Sequence, residues 1–131
     1  MEKIILETEY AVISHDVSLK LGKIVWKRKT SVEEYKHSFI TLFDFAKNNT
    51  TYFFLSDIRN QSVVSPEGRK WFETDLLPKA IKMGLKKAVS ISDDNVFKKY
   101  YLNILIKSSK KFGLPLKLFS NEEDAIKWFK E

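Results

Sequence analysis

The sequence predicts an α/β domain with a mixed sheet, and three observations lead to that fold class. The chain has 131 residues, which is the size of one domain able to bury a core without disulfides. From residue 31 onward, short apolar runs alternate with amphipathic segments, a pattern typical of parallel strands joined by right-handed helical crossovers. Before residue 31, closely spaced apolar runs predict an antiparallel meander. We expect residues 1–131 to form a single domain.

The N-terminal meander is predicted to contain three short strands. Residues 10–15 (YAVISH) and 23–27 (KIVWK) are apolar runs of strand length, and residues 17–21 are expected to form an intermediate strand. Gly22 lies between the runs, where it would help the chain to turn.

The first helix is predicted to begin at Thr30 or Ser31, because both residue types are good N-caps. Glu33 or Glu34 follows near the third helical position, as in a capping box. Apolar side chains then recur at steps of three and four residues, which gives one apolar stripe. The stripe consists of Val32, Tyr35, Phe39, Leu42, Phe43 and Ala46.

Three further strands are predicted in the rest of the chain. Residues 51–56 (TYFFLS) are continuously apolar, as expected for a central strand covered on both faces. Residues 87–92 (KAVSIS) form the next strand. Residues 115–119 (PLKLF) form a short strand at a sheet edge, because Pro115 cannot donate a ladder hydrogen bond.

The helix between the first two of these strands is predicted from its termini. Ser65 is a suitable N-cap and Pro66 suits the first helical position, where its missing N–H is not needed. Pro78 lies inside the helix and should kink it or split it after Leu77. Gly84 should end it.

The last two helices are predicted from their N-terminal residues. Asp93, Asp94 or Asn95 is expected to cap the helix that follows residues 87–92. Ser120 and Glu123 are expected to form a capping box for the final helix. Its inward side chains are expected to be Ala125, Ile126 and Phe129.

Several classes of site are excluded by composition. The chain has no cysteine, which excludes disulfides and thiolate ligands or nucleophiles. His15 and His37 have no metal-ligand spacing, and we expect both at the surface. The spacing of the glycines excludes a Walker loop and a G-x-G-x-x-G turn. We therefore expect neither a metal nor a cofactor. The glycines are Gly22, Gly68, Gly84 and Gly113.

Catalysis lacks a recognisable motif. Ser62, His15 and Asp57 could be combined on paper into a hydrolase triad, but no G-x-S-x-G elbow accompanies them. We expect the protein not to be an enzyme. The first residues, MEKIILETEY, resemble neither a signal peptide nor a membrane span, and we expect a cytoplasmic protein.

The charge is positive and unevenly distributed. The formal net charge is +6, and residues 79–117 contain ten lysines against two acids. We expect a solvated helix surface there, without nucleic-acid binding, because no RNA- or DNA-reading motif accompanies the lysines. Docking of this segment on an anionic membrane or nucleic acid is the alternative, and it would depend on salt.

A dense polar run follows the central strand, where open α/β sheets often bind ligands. Asp57 and Arg59 are two residues apart at the strand end, which places both side chains on one face. One interpretation is a site for an anion or a protein partner beside the helix N-terminus at Ser65. The other is a structural ion pair that fixes the loop. The candidate site residues are Asp57, Arg59, Asn60, Ser62, Ser65 and Trp71.

Five residues also carry a resemblance to a known family. Asp57 and Arg59 follow the central strand, Trp71 lies early in the next helix, and Ala125 and Trp128 lie in a short acidic stretch near the end of the sequence. This arrangement resembles stand-alone bacterial SpoIIAA-like proteins of the STAS superfamily. The resemblance implies a STAS/SpoIIAA-like fold and a regulatory role in which residues 57–65 and the following helix bind a protein partner or a small ligand.

The residues depart from the superfamily at one point. Its partner-switching antagonists carry a phosphorylated Ser in an Asp-Ser-small-Gly motif after the central strand. Here the stretch reads Asp57-Ile58-Arg59-Asn60, and the motif is absent. The resemblance therefore does not carry the phosphorylation switch over to this chain.

Three alternatives stay open. The superfamily is related to CRAL-TRIO lipid-transfer domains, and a carrier of a lipid or another small apolar ligand would need a sizeable cavity between sheet and helices. An enzyme using Asp57 and Arg59 would need a pocket that contains both and a third polar group. A homodimer could form by pairing of edge strands near the N-terminus.

Overall fold

The computed structural model describes residues 2–61, 64–93 and 96–131, so the predictions for Ser62, Asp94 and Asn95 lie outside the described residues. It contains a six-stranded sheet in which spatial order equals chain order. The strands are β1 (Glu2–Glu7), β2 (Ala11–Asp16), β3 (Leu21–Trp26), β4 (Phe53–Asp57), β5 (Lys87–Ile91) and β6 (Leu116–Phe119). Strands β1 to β3 pair antiparallel and β3 to β6 pair parallel. The predicted α/β class with a mixed sheet is confirmed.

The helices cover the two faces of the sheet unequally. They are α1 (Val32–Ala46), α2 (Pro66–Trp71), α3 (Leu77–Lys82), α4 (Val96–Lys111) and α5 (Glu122–Phe129), with a π-helical turn at Phe72–Leu76 between α2 and α3. Right-handed crossovers between successive neighbouring strands place α1 to α4 on one face. That face carries a core cluster in which Tyr35, Leu76 and Leu102 pack against the sheet. On the other face, Trp128 and Phe129 of α5 pack on Leu55.

The predicted boundaries of the N-terminal strands were wrong. Strand β1 lies earlier than any predicted strand, and residues 17–20 form a turn. The Asp16 carboxylate accepts a hydrogen bond from Leu19 N at 3.0 Å, a side-chain bond that favours a turn over a strand. Gly22 lies inside β3, not in a turn. A Cβ there would lie 3.1 Å from the Leu42 side chain, so this glycine permits the close approach of α1.

The predicted start of α1 is confirmed. Ser31 Oγ accepts from Glu34 N at 3.1 Å, and the Glu34 carboxylate accepts from Ser31 N at 2.9 Å. This reciprocal capping box satisfies two backbone donors that a helix N-terminus otherwise leaves free. Three members of the predicted stripe, Tyr35, Phe39 and Leu42, are buried.

The break caused by Pro78 lies on the other side of Leu77 from the predicted one. The π-helical turn Phe72–Leu76 precedes Leu77, whose N–H donates to the carbonyl of Phe72. A wider turn accommodates a proline that cannot donate and would clash with the carbonyl four residues back. Gly84 ends α3 as predicted, with φ of 117°.

The C-terminal helix starts from a different cap than the predicted one. Asn121 Oδ1 accepts from Asp124 N at 2.8 Å, whereas Ser120 and Glu123 were expected to cap the helix. Ile126 is only half-buried, and Trp128 takes the inward position beside Ala125. Strand β6 lies at the sheet edge, as predicted.

Candidate functional site

An apolar cavity of about 500 Å³ lies between the sheet and helices α1 to α4. Its volume falls within the roughly 300–1,000 Å³ of pockets that take small molecules. Aromatic and aliphatic side chains form most of its wall. They include Phe39, Leu42, Phe54, Phe72, Leu76, Leu102 and Leu105.

The space exists because the sheet presents small side chains beneath the helices. Ser56, Ala88 and Ser90 line the cavity at the centre of the sheet. Since side chains alternate along a strand, the larger Leu55 and Ile91 point to the opposite face, where they pack in the α5 core. The helices therefore stand over small side chains, and the gap between the two layers stays unfilled.

Neutral polar groups lie in one part of this cavity. Strand register pairs Ser56 with Ser90, and Ser56 Oγ accepts a hydrogen bond from Trp26 Nε1 at 3.0 Å. Gln61 also lines the cavity and is 6% exposed. Its Nε2 has no hydrogen-bond partner among the described residues, and an unsatisfied buried amide is costly. These groups offer hydrogen bonds without a charge.

The cavity opens at the end of the sheet where the parallel strands begin. Its exposed lining residues are Lys47, Asn48 and Thr50, which follow α1, and Met83, which follows α3. Gln61 follows the carboxyl end of β4. The cavity thus extends along the strands from an exposed mouth toward buried polar groups.

Asp57 and Arg59 form an ion pair, outside this cavity. Arg59 Nε donates to Asp57 Oδ1 at 3.0 Å and its terminal nitrogen donates to Oδ2 at 2.7 Å. Arg59 N donates to Oδ1 as well, at 3.2 Å. The hydrogen-bonded carboxylate raises the pKa of Arg59. With three hydrogen bonds from one residue, Asp57 fixes the start of the loop after β4.

The other predicted site residues are not gathered around this pair. Ser65 Oγ caps α2 by accepting from Gly68 N at 3.2 Å, and Asn60 is exposed. Trp71 is half-buried against Tyr35, 6.2 Å between ring centroids, on the face opposite to α5. Ser62 lies outside the described residues. The sequence prediction missed Gln61 and the serine pair, although a serine inside each buried run, TYFFLS and KAVSIS, was a signal.

The prediction that His15 lies at the surface was wrong. It is 1% exposed and packs on Phe45 at 5.1 Å between ring centroids. Its Nε2 lies 2.9 Å from Thr51 Oγ1, and burial lowers its pKa although Asp16 opposes the shift. His37 is exposed, as predicted.

Neither a metal cluster nor a membrane-spanning helix is found in the described part of the chain. No group of three or more His, Asp or Glu side chains there could hold a metal ion. None of the helices described has both the length and the apolar character needed to cross a bilayer.

Comparison with known proteins adds no relative. No protein-family model, curated protein or solved structure matches this chain. The SpoIIAA-like resemblance therefore stays a prediction from the sequence, and the site has to be interpreted from its own geometry.

Proposed function

We propose that this protein is a non-enzymatic binding protein that carries a small, largely apolar ligand between its sheet and its helices. The apolar cavity of about 500 Å³ is the observation that carries the proposal. Soluble domains pack their interiors at crystal-like density with few voids larger than a water molecule. A cavity of this size, lined mainly by aromatic and aliphatic side chains, is therefore better explained by an occupant than by loose packing.

The polar lining restricts the chemistry of the ligand. Ser56, Ser90 and Gln61 are neutral hydrogen-bonding groups, whereas Lys47 is the charged residue among the described lining residues and lies at the mouth. An unpaired charge is far more costly to bury than a hydrogen-bonded neutral group. The buried part of the ligand should thus be an apolar body with a neutral acceptor, such as a ketone, ester, amide or hydroxyl. An ionised group would lie at the mouth.

The expected regulatory role can be connected with this cavity. Gln61 lines the cavity and directly follows the exposed residues Arg59 and Asn60. A ligand that bonds to the Gln61 amide would therefore order the loop that the family resemblance implies for partner binding. The enzyme alternative has less support, because the cavity lining does not include Asp57 or Arg59.

The proposal is tested by looking for an occupant and then by filling the cavity. Native mass spectrometry of the protein purified from its own cells should reveal a bound small molecule that is lost on denaturation. The neutral fluorophore 1-N-phenylnaphthylamine should bind saturably and be displaced by that molecule. A bare mass together with no saturable fluorophore binding would overturn the proposal.

Two variants on α1 make this test specific to the cavity. Ala46 lines the cavity and Thr41 does not, and both are half-buried. Ala46→Phe should weaken fluorophore binding about tenfold or more, since each 1.4 kcal/mol of lost affinity is tenfold. Thr41→Phe should bind as the unmodified protein does. Thermal melts of both variants establish that each is folded.

A further inference from the structure

We propose that the mouth of the cavity docks on an anionic membrane surface, an inference that rests on the proposed carrier function. The sheet edge where the parallel strands begin combines three features: the cavity opening, a group of exposed lysines, and exposed apolar side chains. An apolar ligand crosses water only at a large free-energy cost. A carrier whose opening contacts the bilayer avoids that step.

The lysines converge on this edge because of the topology. Each helix on the cavity face runs back against the parallel strands, so its last turn lies where the next strand begins. Lys82 is in the last turn of α3, and Lys110 and Lys111 are in the last turn of α4. All three are exposed, and so is Lys47 at the mouth.

The turn between β2 and β3 adds to the same edge. Lys20 and Lys86 flank the ring of Tyr52, with Nζ atoms 5.7 Å and 4.0 Å from its centroid. Tyr52 N donates to Lys20 O and Lys86 N donates to Tyr52 O. Asp44 neutralises part of the charge, since it pairs with Lys47 at 3.1 Å. The edge remains strongly basic.

Apolar side chains stand among these lysines. Val17 in the turn after β2 is 61% exposed, Met83 after α3 is 44% exposed, and Phe112 after α4 is 43% exposed. Lysines attract the anionic lipid headgroups, and apolar side chains between them can enter the interface. This combination distinguishes a bilayer from an acidic protein surface.

The type of cation also favours lipid over nucleic acid. The arginines of the sequence lie toward the opposite edge: Arg28 follows β3, Arg59 follows β4, and Arg69 lies in α2. Arginine is the residue of choice for bidentate recognition of phosphates and bases in nucleic acids. An edge with lysines and apolar residues fits a diffuse headgroup layer instead.

Vesicle sedimentation tests the inference. The protein should co-sediment with vesicles of 70% phosphatidylcholine and 30% phosphatidylglycerol at low salt, far less at 0.5 M salt, and not with pure phosphatidylcholine. Lys82→Glu/Lys111→Glu should weaken vesicle binding roughly tenfold or more, since each lysine near the surface contributes to the attraction. Lys29→Glu/Lys70→Glu makes the same charge change at exposed positions toward the opposite edge and should have little effect.

The outcomes separate docking from the carrier function. Absence of binding to the anionic vesicles, or equal losses in both double variants, would overturn docking at this edge even if the cavity holds a ligand. Tighter binding to a duplex oligonucleotide than to the vesicles would overturn it in favour of nucleic acid. Salt-sensitive vesicle binding that only Lys82→Glu/Lys111→Glu weakens would support it. Loss of fluorophore binding in Ala46→Phe, measured without vesicles, reports on the cavity alone.

Discussion

Arg59 clamps the carboxylate of Asp57 with its side chain and its own backbone N–H, at distances of 2.7 to 3.2 Å. The two residues are separated only by Ile58, so the clamp closes a tight turn at the carboxyl end of β4. Asp57 is buried and the Arg59 side chain is 49% exposed. This asymmetry indicates a loop that is held from within while its outer surface stays available.

The asymmetry predicts unequal effects of breaking the pair. Arg59→Ala removes two donors from a buried carboxylate and should lower the free energy of unfolding by about 1 kcal/mol, a value moderated by the exposure of the guanidinium. Asp57→Ala leaves an arginine that water can solvate, and should cost less. Urea unfolding of both single variants and the double variant gives the coupling energy. Additive effects in this cycle would mean that the pair does not stabilise the loop.

The cap of α5 provides a second prediction. Asn121→Ala removes the side chain that accepts from Asp124 N and should lower the free energy of unfolding by about 1 kcal/mol. Ser120→Ala changes the neighbouring exposed residue and should have little effect. Thermal or urea unfolding distinguishes them. A larger effect at Ser120 would restore the cap that the sequence predicts.

Local signals explain what could be predicted about the fold. The N-caps at Ser31 and Ser65, the end of α3 at Gly84 and the edge position of β6 depend on residues within a few positions of each other. These interactions act in the isolated segment as well as in the folded chain. The alternation of elements then leads to a parallel sheet through the handedness of the crossovers.

Tertiary contacts explain what could not be predicted. Gly22 is typical of a turn by composition, yet its role depends on Leu42, which contacts it from another element. His15 is polar but is buried by Phe45 and bonded to Thr51. The cavity is a gap between layers, so its size depends on how far α1 to α4 stand from the sheet. The carrier alternative named that requirement, but no local pattern in the sequence measures it.

The unpartnered amide of Gln61 leads to a third prediction. A buried donor without a partner costs roughly 1–3 kcal/mol, so Gln61→Leu should raise the free energy of unfolding of the ligand-free protein. The same change should weaken binding of a carbonyl-bearing ligand while a pure hydrocarbon binds as before. Asn60→Leu, at the exposed neighbouring position, is the matched control and should not stabilise the protein. A loss of stability in Gln61→Leu would mean that the amide is satisfied.

The buried His15 gives a pH dependence whose sign follows from its lowered pKa. Burial is the main cause of that shift, so the folded protein binds a proton at His15 less readily than the unfolded chain does. Below the ordinary histidine pKa of about 6.5 the unfolded state therefore takes up more protons, and stability falls as the pH decreases toward the folded-state pKa. Urea unfolding at pH 7.5, 6.5 and 5.5 should show this loss in the unmodified protein and in His37→Gln, whose histidine is exposed. His15→Gln should lack that part of the loss. A pH dependence identical in all three proteins would exclude His15 as its source.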